Sequence, residues 1–285
     1  MSNVIQTDSE KLTFALRQEY IKCAGNPLYF LKKYAVIQHP IKGKLPFLLF
    51  DYQEDTLIKF IKNNFNIILK ARQLGLSTLV AGYSLWMMTF QADKNILVIA
   101  TKQDVAKNLV TKVRVMHANL PEWLKQSCTE DNKLSLQYTN GSQIKAITSA
   151  EESGRSESLS LLILDETGFI YKIQEIWSAA SSTLATGGKA IILSTPNGVG
   201  NFFHKQYIDA EEGRSEFVAT KLHWSLHPER DQAWRDRQDV LLGPTMAAQE
   251  DDCLWEKSMV TVKNKLDGNI KEITLIELYQ ELSNG

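Results

Sequence analysis

The sequence predicts an α/β fold: a mostly parallel sheet flanked by helices, with a β-hairpin and a short helix appended on the C-terminal side. Two observations carry that prediction. Four short runs, 66–70 (NIILK), 95–100 (NILVIA), 160–166 (SLLILDE) and 189–195 (KAIILST), are apolar on both faces, as strands are when helices cover both sides of a sheet. Helical patterns such as STLVAGYSLWMMTF and DVAKNLVTKVRVMHANL lie between them, and that alternation is the signature of a doubly wound sheet.

Taken in order, residues 1–50 read as a helical lead-in subdomain and 51–226 as the α/β core. Within the core, KLSLQYTNGSQIKAITS sets Asn140-Gly141 between two alternating segments, a strong hairpin signal. RSEFVATKLHW adds a later strand. From His227 the stretch HPERDQAWRDRQDVLLGPTMAAQE is polar and helical, so 227–252 reads as a segment closing the core. At Cys253 the pattern changes. SMVTVKN and NIKEITL alternate around Asp267-Gly268, and Thr274 with Glu277 forms a capping box opening LIELYQEL. A hairpin and one helix are too small to bury a core of their own, so 253–285 is expected to be mobile until a partner covers it.

The 285 residues are 44% hydrophobic, enough for one large domain or two small ones. The formal net charge of -1 gives no global basic field, so any nucleic-acid contact would come from a local patch. Three cysteines without close spacing argue against a disulfide framework or a zinc site. The N-terminus has no signal-peptide pattern and no apolar run reaches a membrane span. A soluble protein of a reducing cytosol is expected.

The candidate chemistry begins after the first strand, in KARQLGLSTLVAGYS. A strand, a Gly-containing loop and Ser/Thr opening a helix form the layout of a phosphate-binding P-loop. Backbone N–H groups of such a loop and the helix N-terminus cradle phosphate oxygens, while Ser77 or Thr78 reaches Mg²⁺. Leu76 stands where the usual lysine belongs, so the cation falls to Lys70 or Arg72. The third run ends in Asp165 and Glu166, at the sheet edge where open α/β folds bind ligands. Asp165 suits Mg²⁺ through water, and Glu166 suits a base for an attacking water. Ser194, Thr195 and Asn197 end the fourth run, where short polar groups can sense a terminal phosphate. Upstream, Tyr52 suits stacking on an adenine and Gln53 suits reading its edge. Arg155, in ESGRSES, is placed to reach a phosphate or DNA. His204, His223 and His227 lack metal-ligand spacing and read as structural.

Together DYQ, KARQLGLST, LLILDE and STPNG, in this order, resemble the ATPase domain of the large terminase subunit of tailed bacteriophages. The resemblance runs from NPLYFLKKYAVIQH to AQEDDC. It implies an ATP- and Mg²⁺-dependent motor that moves double-stranded DNA through a portal protein into a procapsid. It also implies a homo-oligomeric ring, a small terminase subunit as partner, and work in the host cytoplasm. By the same resemblance, Gln53 belongs to the adenine motif, with Tyr52 beside it as a candidate from the residues alone. Gly75, Ser77 and Thr78 belong to the phosphate loop, where Gln73 also lies and the cation stays open between Arg72 and Lys70. The resemblance gives Asp165 the magnesium role, Glu166 the catalytic-base role, and Ser194, Thr195 and Asn197 the coupling motif; Ser77 for the metal and Arg72 and Arg155 for catalysis are candidates from the residues themselves. The family's loop commonly reads Arg-Gln-Leu-Gly, one variable residue, then Ser/Thr-Thr, and some members lack the lysine. Full-length members continue into a nuclease domain; no such domain is seen after Cys253, so nuclease activity is expected to be absent from this polypeptide. Two other readings stay open: a helicase- or repair-type ATPase, and a non-hydrolysing nucleotide-binding scaffold, which Leu76 favours.

The tail resembles the N-terminal fragment of an atypical split intein. A Cys is followed by a Val- and Thr-rich strand and then by the residues GNIKEI, with ELY after three intervening residues. The resemblance makes Cys253 the nucleophile that converts the Asp252–Cys253 bond to a thioester, and implies a complementary polypeptide carrying the rest of the intein and the nuclease.

Overall fold

The computed structural model describes residues 8–147, 158–185, 187–253, 259–264, 268–274, 277–278 and 280–281. Its chain divides into two units, Met1–Asn66 with Gly75–Ile192, and Ile67–Leu74 with Leu193–Gly285. The crossings fall inside two strands, β3 (Phe65–Lys70) and β9 (Lys189–Ser194), and in the loop that follows β3.

In the first unit, α1 (Asp8–Gly25) and α2 (Pro27–Tyr34) lead into a small antiparallel hairpin, β1 (Val36–His39) and β2 (Gly43–Pro46). The sequence reading expected this lead-in to be helical; the hairpin is short and half exposed, so it leaves no clear alternation. Asn26 caps α2 by accepting the Tyr29 N–H across 2.9 Å, with Pro27 at the first helical position. Glu19 gathers donors from Lys33, Tyr34 and Tyr29 at 2.7–2.8 Å. The Lys33 bond, with the two tyrosines, pulls its carboxyl down to about 2. Next come α3 (Asp51–Lys62), β3, α4 (Leu76–Phe90), β4 (Asn95–Ala100) and α5 (Gln103–Ala118).

The strands β5 (Cys128–Asp131), β6 (Ser135–Tyr138) and β7 (Gln143–Ile147) follow, then β8 (Leu161–Asp165), α6 (Ile173–Leu184) and β9. Within this unit the strands lie in the order β9-β8-β4-β7-β6-β5. Strand β4 pairs in parallel with both β7 and β8, while β5-β6-β7 is an antiparallel extension. The Asn140-Gly141 hairpin forms as predicted, with Gly141 at φ 83. A side chain on Gly141 would be strained at this positive φ and would displace the Asp93 carboxylate, so the turn favours glycine. The parallel strands β4 and β8 are buried almost throughout, and α4, packed against α5, is also nearly all buried.

The second unit holds most of β3 and the end of β9. It continues with α7 (Phe202–Glu211), β10 (Val218–Leu222), α8 (Gln232–Leu242), α9 (Pro244–Ala247) and a π-helical turn, Ala248–Asp252. Strand β10 neighbours β3; the Ala71 N–H just past β3 donates to the Leu222 carbonyl at 2.8 Å. Asn201 and Asp231 cap α7 and α8. The tail strands β11 (Met259–Lys263) and β12 (Ile270–Thr274) form the expected antiparallel hairpin; Asp267 of its turn lies outside the described residues. The capping box is present too: the Thr274 N–H donates to Glu277 Oε2 at 2.7 Å, and the Glu277 N–H to Thr274 Oγ1 at 3.3 Å.

Candidate functional site

In the first unit, strand pairing fixes the position of the carboxylates. The register sets Ala100 opposite Asp165, so Asp165 closes the carboxyl end of β8 beside the end of β4. Asp165 is 4% exposed, and Ser77 in the first turn of α4 donates its hydroxyl to Asp165 Oδ2 across 2.9 Å. The two residues assigned to the metal are therefore neighbours. Both present hard oxygen donors, the ligand type Mg²⁺ takes, so the residues fit such an ion.

Glu166 follows in the left-handed region, at φ 55 and ψ 45, a conformation that disfavours a side chain with a Cβ. Its N–H donates to Asp165 Oδ1 at 3.1 Å.

Gly75 caps α4 at φ 73 and ψ 11. A Cβ there would lie 2.6 Å from Gln53 Nε2, so the Gln53 amide closes directly over the loop glycine. The other end of that amide is fixed, since Gln53 Oε1 accepts the Phe50 N–H at 3.1 Å. Gln53 is 3% exposed, and the Tyr52 ring is buried and stacked on Phe50 with centroids 5.7 Å apart. Thr78 lines a cavity of about 600 Å³ shared with Gln38, Asn108 and Lys112.

In the second unit, Lys70 is buried at the end of β3, and Gln73 sits in the left-handed region at φ 57. Arg72 is largely exposed, with its Nε 3.1 Å from Glu250 Oε2, and its N–H donates to the Glu250 carbonyl at 2.8 Å. Arg230 donates to the carbonyls of Arg72 and Gln73. Ser194 and Thr195 are buried and Asn197 is exposed. The turn they begin is tied down where Gln249 Nε2 donates to the Pro196 carbonyl at 3.1 Å.

Sequence reasoning missed Arg230, Gln249 and Glu250. They sit in a polar helical stretch that reads as a solvated face, and no local pattern marks a charge that reaches a loop 158 residues away. Arg155 lies outside the described residues. His204 accepts the Gly200 N–H and His223 accepts the Ser225 N–H, both local turn contacts. Among the described residues no group of three or more His, Cys, Asp and Glu is placed to hold a metal, and no helix is long and apolar enough to cross a membrane.

Cys253 is fully buried in the second unit at φ 51 and ψ 40. Its Sγ donates to the Leu222 carbonyl at 3.3 Å, and burial pushes the thiol up to about 12. Just before it, Asp252 accepts two bonds from Arg235, at 2.7 and 2.8 Å.

Known proteins bear on this arrangement at three levels. Residues 67–271 match the family described as terminase large subunit, T4likevirus-type, N-terminal. The chain is 26% identical over 204 residues to the probable terminase large subunit gp28 of Escherichia phage Mu, and 29% over 139 residues to the Mu-like prophage FluMu protein gp28 of Haemophilus influenzae. These alignments take in 59% and 42% of this chain but only 36% and 26% of the relatives, so the chain spans about a third or less of their length. Among solved structures, the HK97 bacteriophage large terminase superposes with a TM-score of 0.67 at 16% identity, over 84% of this chain and 56% of its own. The Thermus phage P74-26 large terminase ATPase domain gives 0.55 at 21% identity, over 66% and 87%. The large terminase of a further thermophilic bacteriophage, solved in complex with ADP, gives 0.60 at 12% identity, over 74% and 55%. These likenesses establish the fold as that of terminase ATPase domains, and the match across 67–271 establishes that the chain belongs to the terminase large-subunit family, in the N-terminal region of its T4-like-virus type.

Proposed function

We propose that the chain is the ATP-hydrolysing motor segment of a phage DNA-packaging terminase, converting ATP to ADP and phosphate to drive double-stranded DNA into a procapsid. The observation that carries this reading is the 2.9 Å bond between Ser77 Oγ and Asp165 Oδ2, which joins the start of the phosphate-loop helix to the acidic strand end. In this proposal Ser77 and Asp165 would hold Mg²⁺, which when bound neutralises charge on the phosphate oxygens. The loop backbone around Gly75 and the N-terminus of α4 hold the phosphates. Lys70 or Arg72 supplies the cation that Leu76 cannot. Gln53 meets the adenine edge, with Tyr52, whose ring stacks on Phe50, beside it in the same motif. Glu166 orients the attacking water and takes its proton. Ser194, Thr195 and Asn197 pass the change at the terminal phosphate to the turn that Gln249 holds. Portal protein, small terminase subunit, DNA and a ring of like chains are the partners this role requires, in the cytoplasm of the host.

Glu166→Gln tests the assignment. Nucleotide affinity should persist while hydrolysis falls by about 100-fold or more, the scale of general-base catalysis. Undiminished turnover would remove Glu166 from the mechanism. Turnover by the wild-type chain, assembled on DNA, separates this reading from a non-hydrolysing scaffold, and strand unwinding would favour a helicase-type enzyme.

A second reading concerns residues 253–285. The sequence likeness of the tail, with the hairpin β11–β12 and its capping box, supports an N-terminal split-intein fragment, against the terminase family match that runs on to residue 271. In that chemistry the Cys253 thiolate attacks the Asp252 carbonyl carbon. A thioester forms, the C–N bond breaks, the freed amine takes a proton, and the acyl group passes to a downstream acceptor. Burial of the thiol means that docking of the complementary fragment must first lift Cys253 from Leu222. Mixing the chain with a downstream fragment that carries the rest of the intein, followed by mass spectrometry, tests it. Absence of a ligated product, or identical behaviour of Cys253→Ala, would end this reading.

A further inference from the structure

We propose that Arg230 is a positioning residue for the phosphate loop, fixing the direction of two of its backbone N–H groups; this rests on the nucleotide-binding reading above. In the second unit Arg230 Nη1 donates to the Arg72 carbonyl across 2.9 Å, and Nη2 to the Gln73 carbonyl across 3.3 Å. One planar fork thus spans two consecutive carbonyls, a task that suits the fixed donors of a guanidinium and not the single point of an ammonium. The guanidinium carbon lies 4.4 Å from the Trp234 ring centroid, so an aromatic face restrains the fork.

The consequence follows from peptide geometry. In a trans peptide the C=O and the N–H of the next residue point in opposite directions. Drawing the carbonyls of Arg72 and Gln73 toward Arg230 therefore aims the N–H groups of Gln73 and Leu74 the other way. Consecutive N–H groups turned to one side make an anion-binding nest, and a left-handed residue is the usual way to build one. Gln73 is that residue, at φ 57. Its neighbours are held as well: the Arg72 N–H by the Glu250 carbonyl and the Ala71 N–H by Leu222, both at 2.8 Å. Arg230 and Glu250 together fix both edges of this peptide run, and neither needs to touch the nucleotide.

The experiment compares the chain with its Arg230→Ala and Arg230→Lys variants. The probe is ADP carrying a methylanthraniloyl fluorophore, with Mg²⁺ present, and steady-state ATP hydrolysis is measured beside it. Arg230→Ala should raise the probe Kd and the ATP KM about tenfold, the scale of one lost charge-assisted contact. Its kcat should stay within about twofold, because a loop shape that serves substrate and transition state alike contributes uniform binding. Arg230→Lys, which can reach one carbonyl, should recover roughly half of the loss on a logarithmic scale. Unchanged affinity in the variants, or a fall in kcat at constant KM, would overturn the role of Arg230. Failure of the wild-type chain to bind the probe would instead remove the nucleotide reading and this inference with it. Should Arg230→Ala not fold, Arg230→Lys decides: faster hydrogen exchange at residues 73–74 with weaker binding supports the role, and wild-type values for both refute it.

Discussion

Ser77 and Asp165, 88 residues apart in sequence, meet through a hydroxyl–carboxylate hydrogen bond of 2.9 Å. The contact exists because the register of β8 against β4 ends at Ala100 and Asp165, while α4 begins one residue before Ser77. Asp165→Asn preserves the shape and can still accept the serine hydroxyl, but it removes the charge that would attract a divalent cation in the proposed role. It is expected to lower kcat/KM for MgATP by roughly 100-fold, or about 2.7 kcal/mol of transition-state stabilisation. Binding of metal-free nucleotide should change little. Titrating the rate with Mg²⁺ at fixed ATP checks this, and an unshifted Mg²⁺ requirement would separate Asp165 from the metal.

Gly75 faces two constraints at once, a left-handed backbone at φ 73 and a Gln53 amide 2.6 Å from where a Cβ would sit. Gly75→Ala should therefore destabilise the loop twice: about 1–2 kcal/mol from the backbone, and a further cost from displacing Gln53. The double variant Gly75→Ala/Gln53→Ala relieves the collision and not the backbone strain. A double-mutant cycle on nucleotide affinity should show coupling between the positions, with the double variant less impaired than the sum of the singles. Strict additivity would show that Gln53 does not guard the loop.

How far such features could be read in advance depended on whether their cause was local. Strands β3, β4, β8 and β9 announced themselves because burial on both faces leaves only apolar residues between their ends. The Asn140-Gly141 turn did so because positive φ restricts the residue types allowed. Ser77, Asp165 and Glu166 were legible as strand-end and helix-start positions. What the hairpin would dock on was not legible: β7 runs parallel beside β4, a long-range pairing that its own residues do not encode separately. The lead-in hairpin β1–β2 was hidden for lack of alternation. Arg230 and Glu250 were hidden because a charge that bonds to a remote backbone carbonyl or amide has the same local context as one that faces water.

The three cysteines should differ sharply in reactivity, and the difference bears on the tail. Cys128 is exposed, whereas Cys23 and Cys253 are buried. Burial pushes the Cys253 thiol up to about 12 and the Cys23 thiol to about 11. Since the thiolate is the reactive form, a raised thiol stays protonated, and at about pH 8 Cys253 is neutral as well as shielded. Iodoacetamide under those conditions should therefore label Cys128 first in the folded chain, with Cys23 and Cys253 labelled only on denaturation. Thiol-induced scission at Asp252–Cys253 should likewise be absent from the folded chain alone. If a complementary fragment activates Cys253, labelling there should rise when that fragment is added, because leaving Leu222 removes both the burial and the hydrogen bond to its carbonyl. Peptide mapping of alkylated digests measures this directly. Labelling of Cys253 as fast as Cys128 in the chain alone would show that the 250–253 segment does not hold the closed arrangement in solution, and Arg235→Ala, which removes the partner of Asp252, should move the wild-type chain toward that behaviour.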